Sequence, residues 1–190
     1  MTNLQKIEQS GRSMVEMLGV LAIIGVLSVG GISGYSKAMA KFKLTKAQDQ
    51  LTMLLMNIRT TYATAPTYTG LTAATAISYN LAPSDMISGQ TLHNAFGGSV
   101  VIAAEAASGL QFAITFNGLG PETCLSLATS DWGSDGLIGI SINKAAVAKP
   151  DFANVEFKPG ANLPVPLGTA AADGNCSATT AVNSITWFYY

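Results

Sequence analysis

From Met17 to Tyr35 the chain runs for 19 residues without a charge, MLGVLAIIGVLSVGGISGY. As a helix rising ~1.5 Å per residue, this stretch spans about 28 Å, close to the ~30 Å hydrocarbon core of a bilayer. Helices buried in soluble cores rarely run so long without a charge, so a membrane span fits best. A secretory signal peptide is the next competitor, but its apolar stretch is about 7–15 residues and ends at a small-residue cleavage site. Here the run is longer, and Ser36-Lys37-Ala38-Met39-Ala40-Lys41 continues it with good helix formers. No Gly or Pro interrupts the chain between Tyr35 and Ala65. Leu44, Ala47, Leu51, Leu54, Ile58 and Tyr62 recur at spacings of three or four, the stripe of an amphipathic helix. The two segments therefore predict one helix from about Ser13 to Thr61.

Composition narrows the function. Of the 190 residues, 11% are charged and 48% hydrophobic, where an ordinary soluble domain carries roughly 25% charge. Disorder needs low hydrophobicity and high charge, and nucleic-acid binding needs an excess of Lys and Arg; neither applies. No nucleic-acid site is evident. Ser and Thr number 34 against 21 charged residues, so the surface is solvated by hydroxyls and amides or is covered by something else. The net charge of −1 conceals an asymmetry. Residues 1–60 hold seven basic and three acidic residues, net +4, and residues 61–190 hold three and eight, net −5.

Glu16 interrupts apolar neighbours, Met14-Val15 before it and Met17-Leu18 after it. A carboxylate near the bilayer core is costly, about 2.5–3.5 kcal/mol for Asp at the helix centre on insertion scales. One explanation is a carboxylate at the membrane boundary that reaches water; the other is a specific partner. The string G-RSMVE-MLGVLAIIGVL, residues 11–27, resembles the type IV prepilin motif. That resemblance implies a leader from Met1 to Gly11, cut by a prepilin peptidase between Gly11 and Arg12 on the cytoplasmic side. It makes Arg12 the first mature residue, N-methylated on its backbone amine, and Glu16 the fifth. In the family that Glu pairs with the amino terminus of a neighbouring subunit, which agrees with the need of a buried charge for an opposite partner. Arg12 departs from the pattern, since the family usually has Phe or Met there. It is also four residues from Glu16, so the two share a helical face.

Orientation carries a conflict. The N-side flank has Lys6 and Arg12, and the C-side flank has Lys37, Lys41, Lys43 and Lys46. The positive-inside rule alone would place the C-terminal region in the cytoplasm; the prepilin motif demands the amino terminus inside. We follow the motif.

Beyond Ala65 the chain is punctuated by Pro66, Gly70, Pro83, Gly89, Gly97 and Gly98, and helical patterning stops. Strand-like runs occur at 99–104, 110–116, 137–142 and 184–190, with a hairpin-sized loop at 105–109. Pro121 opens a possible short helix through Cys124. A long helix followed by strands predicts an α+β fold, the helix packed on an antiparallel sheet. Cys124 and Cys176 are the two cysteines, and His93, the one histidine, cannot complete a metal site with them. From the residues alone they are either buried thiols or a disulfide, which would close a loop of roughly 50 residues and contribute about 4 kcal/mol in the chain-entropy picture. That would suit the Ala-, Gly- and Pro-rich stretch 145–174, which has little periodicity of its own.

The pieces KLTKAQDQL, NAFGGSVVIA, LQFAITF, GPETCLSL and ITWFYY are similar to the layout of type IVb pilins, the class of the toxin-coregulated and bundle-forming pilins. The resemblance implies that Cys124 and Cys176 are the disulfide enclosing a variable region. The 11-residue leader is short for that class and nearer the a class.

Catalytic chemistry finds no foothold. His93 beside Asn94 reads as a turn histidine. Asp131 and Asp135 lie in SDWGSDG, which reads as a turn in which Asp and Gly serve backbone geometry; with Glu122 they lack the alternating pattern of a calcium loop. NAFGGS is not a phosphate-binding loop, and Trp187-Phe188-Tyr189-Tyr190 reads as a buried strand. No cofactor is implied. The resemblance implies a major pilin, a structural subunit that polymerises into a helical homopolymer by burying residues 12–35, with 36–62 as the amphipathic half and 63–190 as the head. Gly25, Gly30 and Gly34 are the positions where backbones could approach closely. Implied partners are other copies, the prepilin peptidase, the assembly platform, minor pilins and the inner membrane before assembly. The head would then face the periplasm and finally the exterior. Alternatives are a minor pilin or a type II secretion pseudopilin, and, from another class, a membrane-anchored periplasmic binding domain.

Overall fold

The computed structural model describes residues 8–133, 135–171, 175–176 and 182–190, and of residues 8–13 the backbone alone. The first element, α1 (Glu8–Tyr62), is 55 residues long. It begins five residues ahead of the expected Ser13, within the stretch expected to be the leader. The chain divides into two compact units at Phe42/Lys43.

In the first unit the described side chains belong to one helix, which is apolar on every side from Met17 to Tyr35. Met14, Val15, Leu21, Val26 and Val29 are all exposed, Val26 by 75%. Two of its hydroxyls turn back onto the helix: Ser28 Oγ donates to the Ile24 carbonyl at 2.7 Å and Ser36 Oγ to the Ile32 carbonyl at 2.9 Å. Turning hydroxyls back one turn removes them from competition with hydrocarbon, where an unsatisfied polar group is expensive.

The second unit opens with the remainder of α1. Ala47, Leu51, Leu54 and Ile58 are fully buried, with Leu44 and Tyr62 packed at the margins, so the three-and-four spacing marks the inward face. A four-stranded sheet receives it: β3 (Val100–Ala104), β4 (Phe112–Leu119), β5 (Leu137–Asn143) and β6 (Asn183–Tyr189). Their order is β3-β4-β6-β5, every neighbouring pair antiparallel. The last strand is thus inserted between two earlier ones. The expected α+β class, a long helix against an antiparallel sheet, is what the chain forms.

Register explains why β6 is buried along its whole length. Ile102, Ile114, Trp187 and Ile140 lie opposite one another across the four strands, and Val100, Phe116, Ile185 and Ile142 form the next rank. These belong to the same core as the α1 stripe. Alternate positions face the other side, where Thr115 and Thr186 are buried and share a 2.8 Å hydrogen bond. The segment after β5 covers that side: Ser184 Oγ donates to the Ala145 carbonyl at 2.8 Å, and Phe152 meets Phe188 edge-on at 5.4 Å. Both sheet edges are blunted by single bridges, Thr72 to Ala103 and Ile140 to Phe157, which limits strand addition there.

Smaller elements fill the connections. A helix α2 (Ala73–Ser78) starts at Thr72 with a reciprocal cap through Thr75. A two-strand hairpin pairs β1 (Ile87–Ser88) with β2 (Thr91–Leu92). Helix α3 (Pro121–Ala128) opens on Pro121 as its sequence implies, and α4 (Leu167–Ala171) is a single turn within the stretch that shows no periodicity.

Candidate functional site

Two features carry the functional question, the apolar helix of the first unit and the cross-linked region of the second. On the helix, Glu16 is exposed among Met14, Val15, Met17 and Leu18, each more than half exposed. It is the one acidic residue between Ser13 and Gln48. The Gly11–Arg12 bond lies in the helical backbone; the Arg12 side chain and residues 1–7 lie outside the described residues. Gly25, Gly30 and Gly34 each face open space, with nothing within 4 Å of where a Cβ would stand. At 100° per residue, Gly30 and Gly34 share a face while Gly25 points nearly the opposite way. Gly19, overlooked in the sequence, falls on the Gly30 side, so the small residues make two surfaces rather than one.

In the second unit Cys124, in α3, is bonded to Cys176 with Cα atoms 5.6 Å apart across a sequence separation of 52. Both are buried. The Cys176 N–H donates to the Ala170 carbonyl at 3.0 Å, tying the bridge to α4. The sequence left thiols and disulfide open; the bond between them is what forms.

The candidates for chemistry have structural occupations. The His93 ring bonds Thr91 Oγ1 at 3.0 Å and the Gly97 carbonyl at 3.3 Å. Asp131 Oδ1 accepts from the Gly133 N–H at 2.9 Å, the turn geometry expected of that string. The NAFGGS string is built around Asn94, whose Oδ1 accepts from the Phe96 and Gly98 N–H groups and whose Nδ2 donates to the Asn117 carbonyl. Gly98 must be glycine, because a Cβ there would collide with the Asn117 carbonyl oxygen. Asn117 in turn exchanges two hydrogen bonds with the Val147 backbone, at 3.1 and 2.8 Å, pinning the segment after β5 to the sheet. Sequence gave no hint of this clamp beyond Asn117 preceding a glycine.

Lys46 Nζ lies 2.9 Å from Asp85 Oδ2, and Gln50 Nε2 donates to the same oxygen at 2.8 Å. The Lys46 hydrogen bond, outweighing partial desolvation, holds the Asp85 carboxyl below the usual carboxylate range. A depressed folded-state pKa stabilises above the unfolded value and loses that contribution as pH falls through the folded one. Both partners are substantially exposed, so the pair contributes only about 0.2–1 kcal/mol. Asp85→Asn is expected to remove that increment of acid sensitivity below about pH 4, checked by urea midpoints at pH 7 and pH 3; an unchanged pH slope would refute the assignment.

Among known families, the model described as PilS N terminal matches residues 42–188. The chain belongs to this family. Its curated relatives include the toxin coregulated pilin of Vibrio cholerae serotype O1, El Tor strain N16961, and a second Vibrio cholerae toxin coregulated pilin. Each is 29% identical over 133 residues, a stretch covering 66% of this chain and 59% of the relative. The chain thus spans about 59% of the length of the curated relatives it matches. Similar solved structures include two pilins. A type IVb pilin from Salmonella typhi has TM-score 0.49 and 24% identity, covering 77% of this chain and 97% of that one. TcpA, a type IV pilin of the Vibrio cholerae El Tor biotype, has TM-score 0.46 and 21% identity, covering 78% and 99%. Membership in the PilS N-terminal family agrees with the type IVb pilin resemblance read from the sequence.

Proposed function

We propose that this chain is the major subunit of a type IV pilus. The observation that carries the proposal is the helix of residues 14–35, apolar on every side and unpartnered in the single chain. A helix apolar all round belongs in a bilayer or among other helices, and a pilin uses both in turn. The precursor would sit in the inner membrane, amino terminus inside and head in the periplasm. A prepilin peptidase would remove residues 1–11 after Gly11, freeing the Arg12 amine for methylation. Extraction by the assembly platform, with minor pilins, would then transfer residues 12–35 from lipid to the centre of an extracellular homopolymer. Glu16 would pair there with the amine of a neighbouring copy, a charge cancelled by the charge that cleavage creates. The amphipathic 36–62 and the head 63–190, with its disulfide-bounded region 124–176, would form the rest of the subunit.

Small residues allow helix backbones to approach closely. Gly34→Leu meets no obstacle in the single chain, so folding and membrane insertion should be retained while fibre yield falls at least about tenfold, if one lost close contact costs ~1.4 kcal/mol per subunit. Sheared-fibre yield compared with total cell-associated protein measures this, and undiminished fibres would remove Gly34 from the packing surface. The direct test of function is electron microscopy of cells making the protein with its peptidase, together with mass spectrometry of the mature terminus. Fibres composed mainly of this subunit and beginning at Arg12 are expected. A terminus at another bond would refute the Gly11 cleavage. Fibres in which the protein is a trace component would favour a minor pilin or pseudopilin, and an uncut monomer a membrane-anchored domain.

A further inference from the structure

The stretch 121–136 carries Glu122, Asp131 and Asp135 and no Lys or Arg, and all three carboxylate residues are exposed. Asp131 lines a groove of about 210 Å3 that is walled by Trp132, Leu137, Pro159, Leu163 and Pro164. Trp132 is fixed: its indole N–H donates to the Leu127 carbonyl at 2.9 Å and its ring meets Trp187 at 5.2 Å. Asp131 spends one bond on the Gly133 N–H, and a carboxylate accepts several. Of the nearby cations, Arg59 is committed to the Asp135 carbonyl at 3.0 Å and to the face of Tyr189. Lys158 adjoins Pro159 in the sequence, and Asp131 is the charged residue among the described residues lining the groove.

Apolar walls, an aromatic side chain and a carboxylate suit an aliphatic stem ending in an ammonium, which packs its methylenes while its charge meets the acid and the ring. An anion would be repelled. The chain itself supplies the matching group. No acidic residue lies between Glu16 and Asp49, whereas Lys37 and Lys43 fall within that interval and are exposed. Lys46, the next lysine, is taken by Asp85. With net charges of +4 on residues 1–60 and −5 on residues 61–190, unlike parts of two copies attract and like parts repel. We propose that the Trp132–Asp131 groove of one copy receives Lys37 or Lys43 of a second copy. The inference rests on the filament reading, since only a polymer presents both surfaces at the high effective concentration that a weak exposed pair requires.

The test uses intact fibres of the full chain, grown from a mixture of unlabelled and 15N-labelled subunits and treated with a carbodiimide that joins carboxylates to amines. A mixed-isotope cross-link from Asp131 to Lys37 or Lys43 is expected. Asp131 cross-linked only within one copy, only to other lysines, or not at all in well-formed fibres overturns the proposal. Independently, Asp131→Lys should lower fibre yield at low salt about fivefold, the scale of an exposed pair of ~1 kcal/mol. Adding Lys37→Glu and Lys43→Glu to that variant should restore most of it. An unchanged yield, or no rescue, counts against the groove. Absence of wild-type fibres would instead refute the filament reading.

Discussion

Glu16→Ala is expected to yield a protein that is made, inserted and cleaved normally and that forms few or no fibres. The alanine is a better helix former than Glu and removes a charge from an apolar run, so the precursor should not suffer. The loss falls on assembly. A carboxylate and an amine at ~4 Å in a medium of effective dielectric ~20 attract by about 4 kcal/mol, roughly three orders of magnitude in the equilibrium for adding a subunit. Glu16→Gln keeps the shape and removes the charge, and should fail equally. Sheared-fibre yield measured beside the fraction of cleaved protein separates assembly from processing. Abundant normal fibres from either variant would refute the pairing role of Glu16.

The second large effect concerns the bridge between Cys124 and Cys176. Closing a loop across 52 residues restricts the unfolded chain by about 4 kcal/mol in the entropy model, a large share of the ~5–15 kcal/mol that holds a typical domain. Inside that loop, the chain between β5 and β6 has few buried apolar anchors, chiefly Phe157, Val165 and Ala170. Cys124→Ala with Cys176→Ala is therefore expected to lower the urea midpoint of the detergent-solubilised full chain clearly. Protease cleavage should begin between Lys144 and Ala171, while β3 and β4, hydrogen-bonded outside the loop, resist longer. An unchanged midpoint would show that packing alone holds the region.

Much of the fold was legible because its signals are local. The strand-like runs at 99–104, 110–116, 137–142 and 184–190 coincide with β3, β4, β5 and β6 to within a few residues. β-branched residues recur within each run, and the runs at 110–116 and 184–190 add aromatic residues. The α1 stripe was legible for the same reason. The hairpin of β1 and β2 was not, because two-residue strands carry no period, and α4 was not, because one turn of Leu-Gly-Thr-Ala-Ala has no face to display. The proposed functional surfaces divide similarly. Glu16 announced itself by interrupting an apolar run, whereas the Trp132 groove is assembled from residues about 30 apart, and nothing in either segment names the other.

By itself the sequence determined that a helix apolar all round precedes an α+β head, that one carboxylate sits in that helix, and that basic and acidic residues are segregated along the chain. These follow from composition and spacing, which act over a few turns or a few pleats. Tertiary structure decided that the final strand is inserted between β4 and β5, that Asn117 clamps the segment crossing the sheet, and that the two cysteines meet. Each depends on groups tens of residues apart competing for the same buried space. That competition is settled by packing and hydrogen-bond satisfaction across the whole head, which no local pattern records.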